Sequence, residues 1–136
     1  MRVLIVIFLA IASAHCLAQS FSGEWKVDLR NQEQRSQQVE CGFASFDLTQ
    51  KDKKIRGTFS AGTPKCGRMD DGGQVRGLVT SPGVAVLVVQ SVRDNSISIG
   101  SASIAPSGAL SWETSDHLAE QGDNLIPLRA TFHRVP

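Results

Sequence analysis

Few residues in this chain have the chemistry to crosslink, coordinate or catalyse. Cys41 and Cys66 bracket the stretch CGFASFDLTQKDKKIRGTFSAGTPKC, and two thiols at the outer ends of paired alternating runs can form a disulfide. Asp116 and His117, with Glu120 and Asp123 nearby, offer metal ligands at no recognised spacing, so they read as solvated loop residues. Asp70-Asp71 before Gly72-Gly73 could present carboxylates to calcium, but the ligand spacing of an EF-hand is missing and a polar turn is expected. Ser96, Ser98, Ser101 and Ser103 have no paired base in sequence. No nucleophile elbow, phosphate-binding glycine loop, zincin motif or Cys-His site is present. Paired carboxylates for glycoside hydrolysis would need only to meet in space. The expectation is a protein that is not an enzyme, with no cofactor and no metal.

The two cysteines depend on a hairpin to bring them together. A turn at Asp52-Lys53 pairs Phe46 with Phe59 and Leu48 with Gly57, the positions that alternation independently assigns to one face of each run. The same register sets Cys41 opposite Pro64, one diagonal step from Cys66, so a bridge at the hairpin base is within reach.

The compartment suits such a bridge. Residues 1–18 have the pattern of a secretory signal: Arg2, an apolar core from Val3 to Ala12, and a small-residue cleavage region ending at Ala18. The apolar core is about half the roughly 20 residues that span a bilayer, so no stable membrane anchor is expected. A cut after Ala14 also satisfies the small-x-small rule and would keep Cys16; a cut after Ala18 leaves an even cysteine count. His15 before Cys16 is a poor fit to a lipidation site. Residues 19–136 then form one domain in a secreted or periplasmic setting. Removing residues 1–18 takes Arg2 and no acid from fourteen basic and thirteen acidic residues, which leaves the remainder balanced. No basic stripe along the sequence points to nucleic acid or an anionic membrane.

Eight short runs can be read as strands. Glu24–Arg30 alternates with Trp25, Val27 and Leu29 on one face; Asn31–Glu40 is a polar loop with a possible helical turn; the hairpin follows, and Gly62–Gly73 reads as a long turn-rich loop. Gln74–Thr80, Val84–Val92 and Ser96–Ile104 come next, with Val84–Val89 apolar at every position, which calls for cover on both faces or an outer surface buried by a loop or partner. Ala109–Thr114 carries Leu110 and Trp112 on one face, and Ile126–Val135 carries Leu128, Ala130 and Phe132. The fold class is all-β, an eight-stranded antiparallel up-and-down barrel, with a two-sheet sandwich as the alternative. Charged outer faces argue against an outer-membrane barrel. In either direction of travel, loops 31–40, 62–73 and 115–124 share one end with both cysteines, while the turns at Asp52-Lys53, Ser81-Gly83 and Pro106-Gly108 share the other.

Gly23-Glu24-Trp25, opening a strand and a meander, resembles the glycine-x-tryptophan start of the calycin barrels, the lipocalins and avidins. The lipocalin resemblance implies a Trp plugging the closed end beneath an Arg of the last strand, and Arg134 has the parity and position for that part. Avidin's ligand-contacting residues find no counterpart. The pattern also resembles small exported bacterial proteins, which implies location only. Two functions remain. One is a binding protein of inhibitor or immunity type that presents Arg35, Lys65, Arg68, Asp70, Asp71 and His117 to a macromolecule; the other is a carrier of a small apolar ligand. The interior decides between them, because eight strands leave room for packed side chains or one small ligand. Trp25, Phe46, Phe59, Trp112 and Phe132 all point inward by parity.

Overall fold

Period-two alternation of apolar and polar residues makes strands with one buried face, and such strands must share a core. The computed structural model describes residues 19–118 and 124–136. The expected signal at 1–18, with Ala14, Cys16 and Ala18, lies outside the described residues, as do Glu120 and Asp123. The strands are β1 (Gly23–Asp28), β2 (Phe43–Lys51), β3 (Lys54–Gly62), β4 (Met69–Ser81), β5 (Val84–Gln90), β6 (Ile97–Ile104), β7 (Leu110–His117) and β8 (Arg129–Arg134). Each pairs antiparallel with the next, and β1 pairs with β8 to close a barrel. The sandwich alternative is excluded. A five-residue helix, α1 (Gln32–Ser36), supplies the helical turn of the first long loop, and a 3-10 turn (Pro64–Cys66) follows β3.

The hairpin register is as read: Phe46 faces Phe59 and Leu48 faces Gly57 around the turn at Asp52-Lys53. Several boundaries shift by one or more residues, and four of the shifts change a loop or the setting of a named side chain. β1 ends at Asp28, so Leu29 is 42 % exposed instead of lining the core. β4 starts at Met69 and shortens the expected 62–73 loop to 63–68. β7 continues to His117, which was expected in a loop. β8 starts at Arg129; Leu128 before it is 67 % exposed and Ile126 is the buried residue of that segment.

All five inward aromatics are buried, none more than 2 % exposed. Phe46 is their hub, with ring centroids 5.3 Å from Phe59, 5.7 Å from Trp112 and 5.0 Å from Phe132, each pair tilted. Tilted aromatic pairs at such distances gain about 0.5–1.5 kcal/mol beyond area burial. The buried Trp112 indole donates to Pro127 O at 2.9 Å and Thr114 Oγ1 at 3.0 Å, so no polar atom is stranded. Inward Gly100 makes room for it, since a Cβ there would lie 2.5 Å from the Trp112 ring.

The short-turn end is plugged. Phe21 is fully buried, its N–H bonded to Gln50 Oε1 at 2.9 Å and its carbonyl accepting from Trp25 Nε1 at 2.8 Å. The Arg134 guanidinium lies 4.2 Å from the Trp25 ring centroid and donates to the carbonyls of Ser22 and Ser20, the latter at 2.8 Å. The last-strand arginine thus sits on the first-strand tryptophan, as the calycin resemblance implied.

Phe46→Ala and Phe59→Ala should each cost about 3–5 kcal/mol in chemical denaturation, the range for truncating a packed ring. A loss near zero at either position would contradict the shared inner face. Arg134→Ala should cost about 1–2 kcal/mol, from the ring contact and two carbonyl bonds. Arg134→Lys should recover little, because an ammonium cannot stack and fork together.

Candidate functional site

The long connections converge at one end of the barrel. There β1 leads to β2 through 29–42, β3 to β4 through 63–68, and β5 to β6 through 91–96, and β7 delivers His117 to the last connection. Among the described residues the strands are joined at the opposite end by short turns, and loops on a rigid scaffold are where binding groups concentrate.

Three features fix the first two loops. Cys41 and Cys66 are disulfide-bonded with Cα atoms 5.3 Å apart. Lys65 N–H donates to Glu40 O at 2.9 Å, a second tie between the same loops. The 3-10 turn bends Cys66 back over the hairpin base, with positive φ at Cys41 (61°), Lys65 (64°) and Cys66 (55°). Left-handed backbone at three non-glycine residues persists only where the surroundings hold it. Helix α1 is capped reciprocally: Asn31 Oδ1 accepts from Gln34 N at 2.8 Å and Gln34 Oε1 accepts from Asn31 N at 2.9 Å.

Arg30 anchors the base of the first loop. Its Nε and Nη2 fork onto Asp28 at 3.0 and 2.9 Å, and Nη1 donates to Val39 O at 2.9 Å. The guanidinium holds the Asp28 carboxyl well below its ordinary value of 3.8. A carboxylate whose pKa falls on folding contributes fully above that ordinary value and loses its contribution only as pH drops further.

The predicted site residues divide into two groups. Arg35 on α1, and Lys65 and Arg68 on the 63–68 loop, are exposed at this end on the two crosslinked loops. Arg35 Nη1 also donates to Arg30 O. Asp70 and Asp71 are in β4, not in a loop. Gly72, at φ +84°, is an extra residue against Phe59 and Ser60, and this bulge shifts the alternation by one. Asp70 therefore faces inward, 2 % exposed, and accepts from Val92 N–H at 3.2 Å. Asp71 faces outward and accepts from Ser60 Oγ at 3.1 Å. As a presented contact, Asp70 is a correction: its carboxylate is internal and orients the 91–96 connection.

A second bulge re-aims His117. Gly100 pairs with Thr114 and Ile99 with Asp116, so Ser115 is the extra residue and His117 turns to the same face as buried Ser98. Ser98 Oγ lies 3.0 Å from His117 Nδ1. Asn124 Oδ1 accepts from Ile126 N–H at 3.0 Å, which turns Asn124 Nδ2 toward Ser98 Oγ and toward His117 Nδ1 at 3.1 Å. The triplet links β6, β7 and the start of the last segment; with Ser98 1 % exposed, its hydroxyl serves those links. Sequence reasoning missed Ser98 and Asn124 as partners of His117. No spacing in the sequence marks them, because the inserted Ser115 exchanges the faces of β7 just before the exposed His117. Among the described residues, no three His, Cys, Asp or Glu side chains gather as a metal site.

Comparison with protein-family models, curated proteins and solved structures finds no match to this chain. Its class rests on its own geometry: a closed eight-stranded up-and-down β-barrel, compatible with the calycin-like barrels, plugged at one end and carrying crosslinked loops at the other. Among the described residues no helix is long and apolar enough to cross a membrane.

Thiol titration of the unreduced, denatured protein from its native compartment should find neither Cys41 nor Cys66 free; two reactive thiols from that pair would refute the bridge. Cys41→Ser should cost about 3 kcal/mol for a loop of this length in the chain-entropy model. Amide exchange should accelerate in 29–42 and 63–68 more than in the strands.

Proposed function

We propose that this chain is an exported binding protein of inhibitor or immunity type, of the calycin-like architecture, that engages a macromolecular partner through its loop end. The observation that carries this reading is the interior, filled by Trp25, Phe46, Phe59, Trp112 and Phe132 around one hub. An eight-stranded barrel has room for side chains or for one small ligand, and here side chains take that room. The crosslinked 29–42 and 63–68 loops support the reading, since a contact surface fixed in advance avoids the ordering cost of binding. Arg35, Lys65, Arg68 and His117 would supply the contacts, with Asp70 and Asn124 holding the loops in place. The disulfide also supports export, because such bridges persist in oxidising compartments.

Capture from a native extract, read by mass spectrometry of both proteins and extractable small molecules, tests the proposal. A protein retained by the parent should be lost at least tenfold with Arg35→Glu and Lys65→Glu together. It should be retained when Glu113 and Arg129, an exposed ion pair on the wall between β7 and β8, are exchanged. Equal loss from both variants, or a bound apolar small molecule with no protein, would reject the loop-end reading.

A further inference from the structure

The barrel wall between the β2–β3 turn and β5 carries charges that the fold leaves opposed. Lys51 lies directly across from Lys54, and Arg56 directly across from Arg76, all four exposed on the outer face. Like charges in directly opposite positions destabilise a sheet. Among the described residues none of these four side chains makes an ion pair or hydrogen bond. Lys53 at the turn adds a fifth cation, with Asp52 the one acid in the run 51–56. The remainder of the chain after residue 18 must balance this excess, so the charge is concentrated on this wall.

The same rows continue into exposed aliphatic residues. Lys54 neighbours Leu78, which faces Val86, and Arg76 faces Val88. Leu78 is 56 % exposed, Val86 41 % and Val88 38 %. This is the outward half of the all-apolar run Val84–Val89, and no described residue covers it.

We propose that this wall is a docking surface for an anionic lipid membrane. Headgroup phosphates would neutralise the opposed cations, and the aliphatic row beside them would reach the acyl boundary; charge and apolar contact act together in interfacial binding. The composition favours lipid over a protein partner. Three of the five cations are lysines, which act as point charges without the fork that matches a carboxylate. Among the described residues none of the exposed large hydrophobics is aromatic, whereas protein interfaces are rich in aromatics and Arg and poor in Lys. A nucleic acid would find no ring to stack on. The surface lies on the wall and short-turn end, separate from the loop end, and it would hold the protein at a membrane with those loops free.

Co-sedimentation of the protein with mixed phosphatidylglycerol and phosphatidylcholine vesicles, against phosphatidylcholine alone, tests the proposal. The protein should partition onto the mixed vesicles only, and added salt should release it. Arg56→Glu with Arg76→Glu should lower partition at least tenfold. Arg56→Gln with Arg76→Gln should lower it too, while the thermal transition stays level or rises as the opposed charges are removed. Leu78→Ser with Val86→Ser should weaken partition at constant charge. The loop-end reversal Arg35→Glu with Lys65→Glu should leave partition unchanged, so this surface and the loop-end reading fail separately. Absence of partition onto mixed vesicles, or partition indifferent to the wall substitutions, overturns the proposal. Wall-dependent binding of soluble poly-glutamate without vesicle binding overturns it as well, and assigns the wall to an acidic protein.

Discussion

Closure of the sheet is the constraint on which the rest depends. β1 pairs with β2 along its whole length but meets β8 at only two positions, Trp25 with Arg134 and Lys26 with His133. A sheet of eight strands left open would expose two edges of unpaired backbone groups. The short seam is reinforced by Val135 N–H bonding to Glu24 O at 2.9 Å and by Arg134, stacked on Trp25 and bonded to the Ser20 and Ser22 carbonyls. Trp25 in turn bonds the Phe21 carbonyl. One tryptophan therefore joins the first strand, the last strand and the plug at the short-turn end.

From closure follows a fixed interior that the aromatics must fill. Glycines on the inner faces, at Gly57 and Gly100, sit where a Cβ would strike backbone or the Trp112 ring. Small and large residues alternate around the wall so that the rings fit, as in other small barrels. The filled core makes the scaffold stiff, and chemistry is displaced to its rim and outer surface.

At the rim, two inserted residues change which groups face inward. Side-chain direction has period two, so a single extra residue exchanges the faces beyond it. Gly72 brings Asp70 inside, where it accepts from the Val92 N–H; Ser115 brings His117 round to Ser98 and Asn124. Both groups tie neighbouring connections together, and the disulfide does the same for the first two loops. The loop end is consequently braced at several independent points, while the cationic and aliphatic wall toward the other end is braced by the ladder itself.

The sequence alone determined the elements whose information is local. Alternation located the strands, and the hairpin register followed from its faces; that register brought Cys41 and Cys66 within reach, and strand counting sorted long loops from short turns. Inward parity placed all five core aromatics. What tertiary structure decided was everything set by pairing between distant strands. The bulges at Gly72 and Ser115 reverse parity with no marker beyond a glycine and a serine, so the burial of Asp70 and the grouping of His117 with Ser98 and Asn124 could not be read from spacing. Arg56 and Arg76 are far apart in the chain, and only the β3–β4 register sets them side by side. A balanced linear charge count therefore hid a concentrated cationic wall, because charge density on a surface depends on which strands are neighbours and in what register.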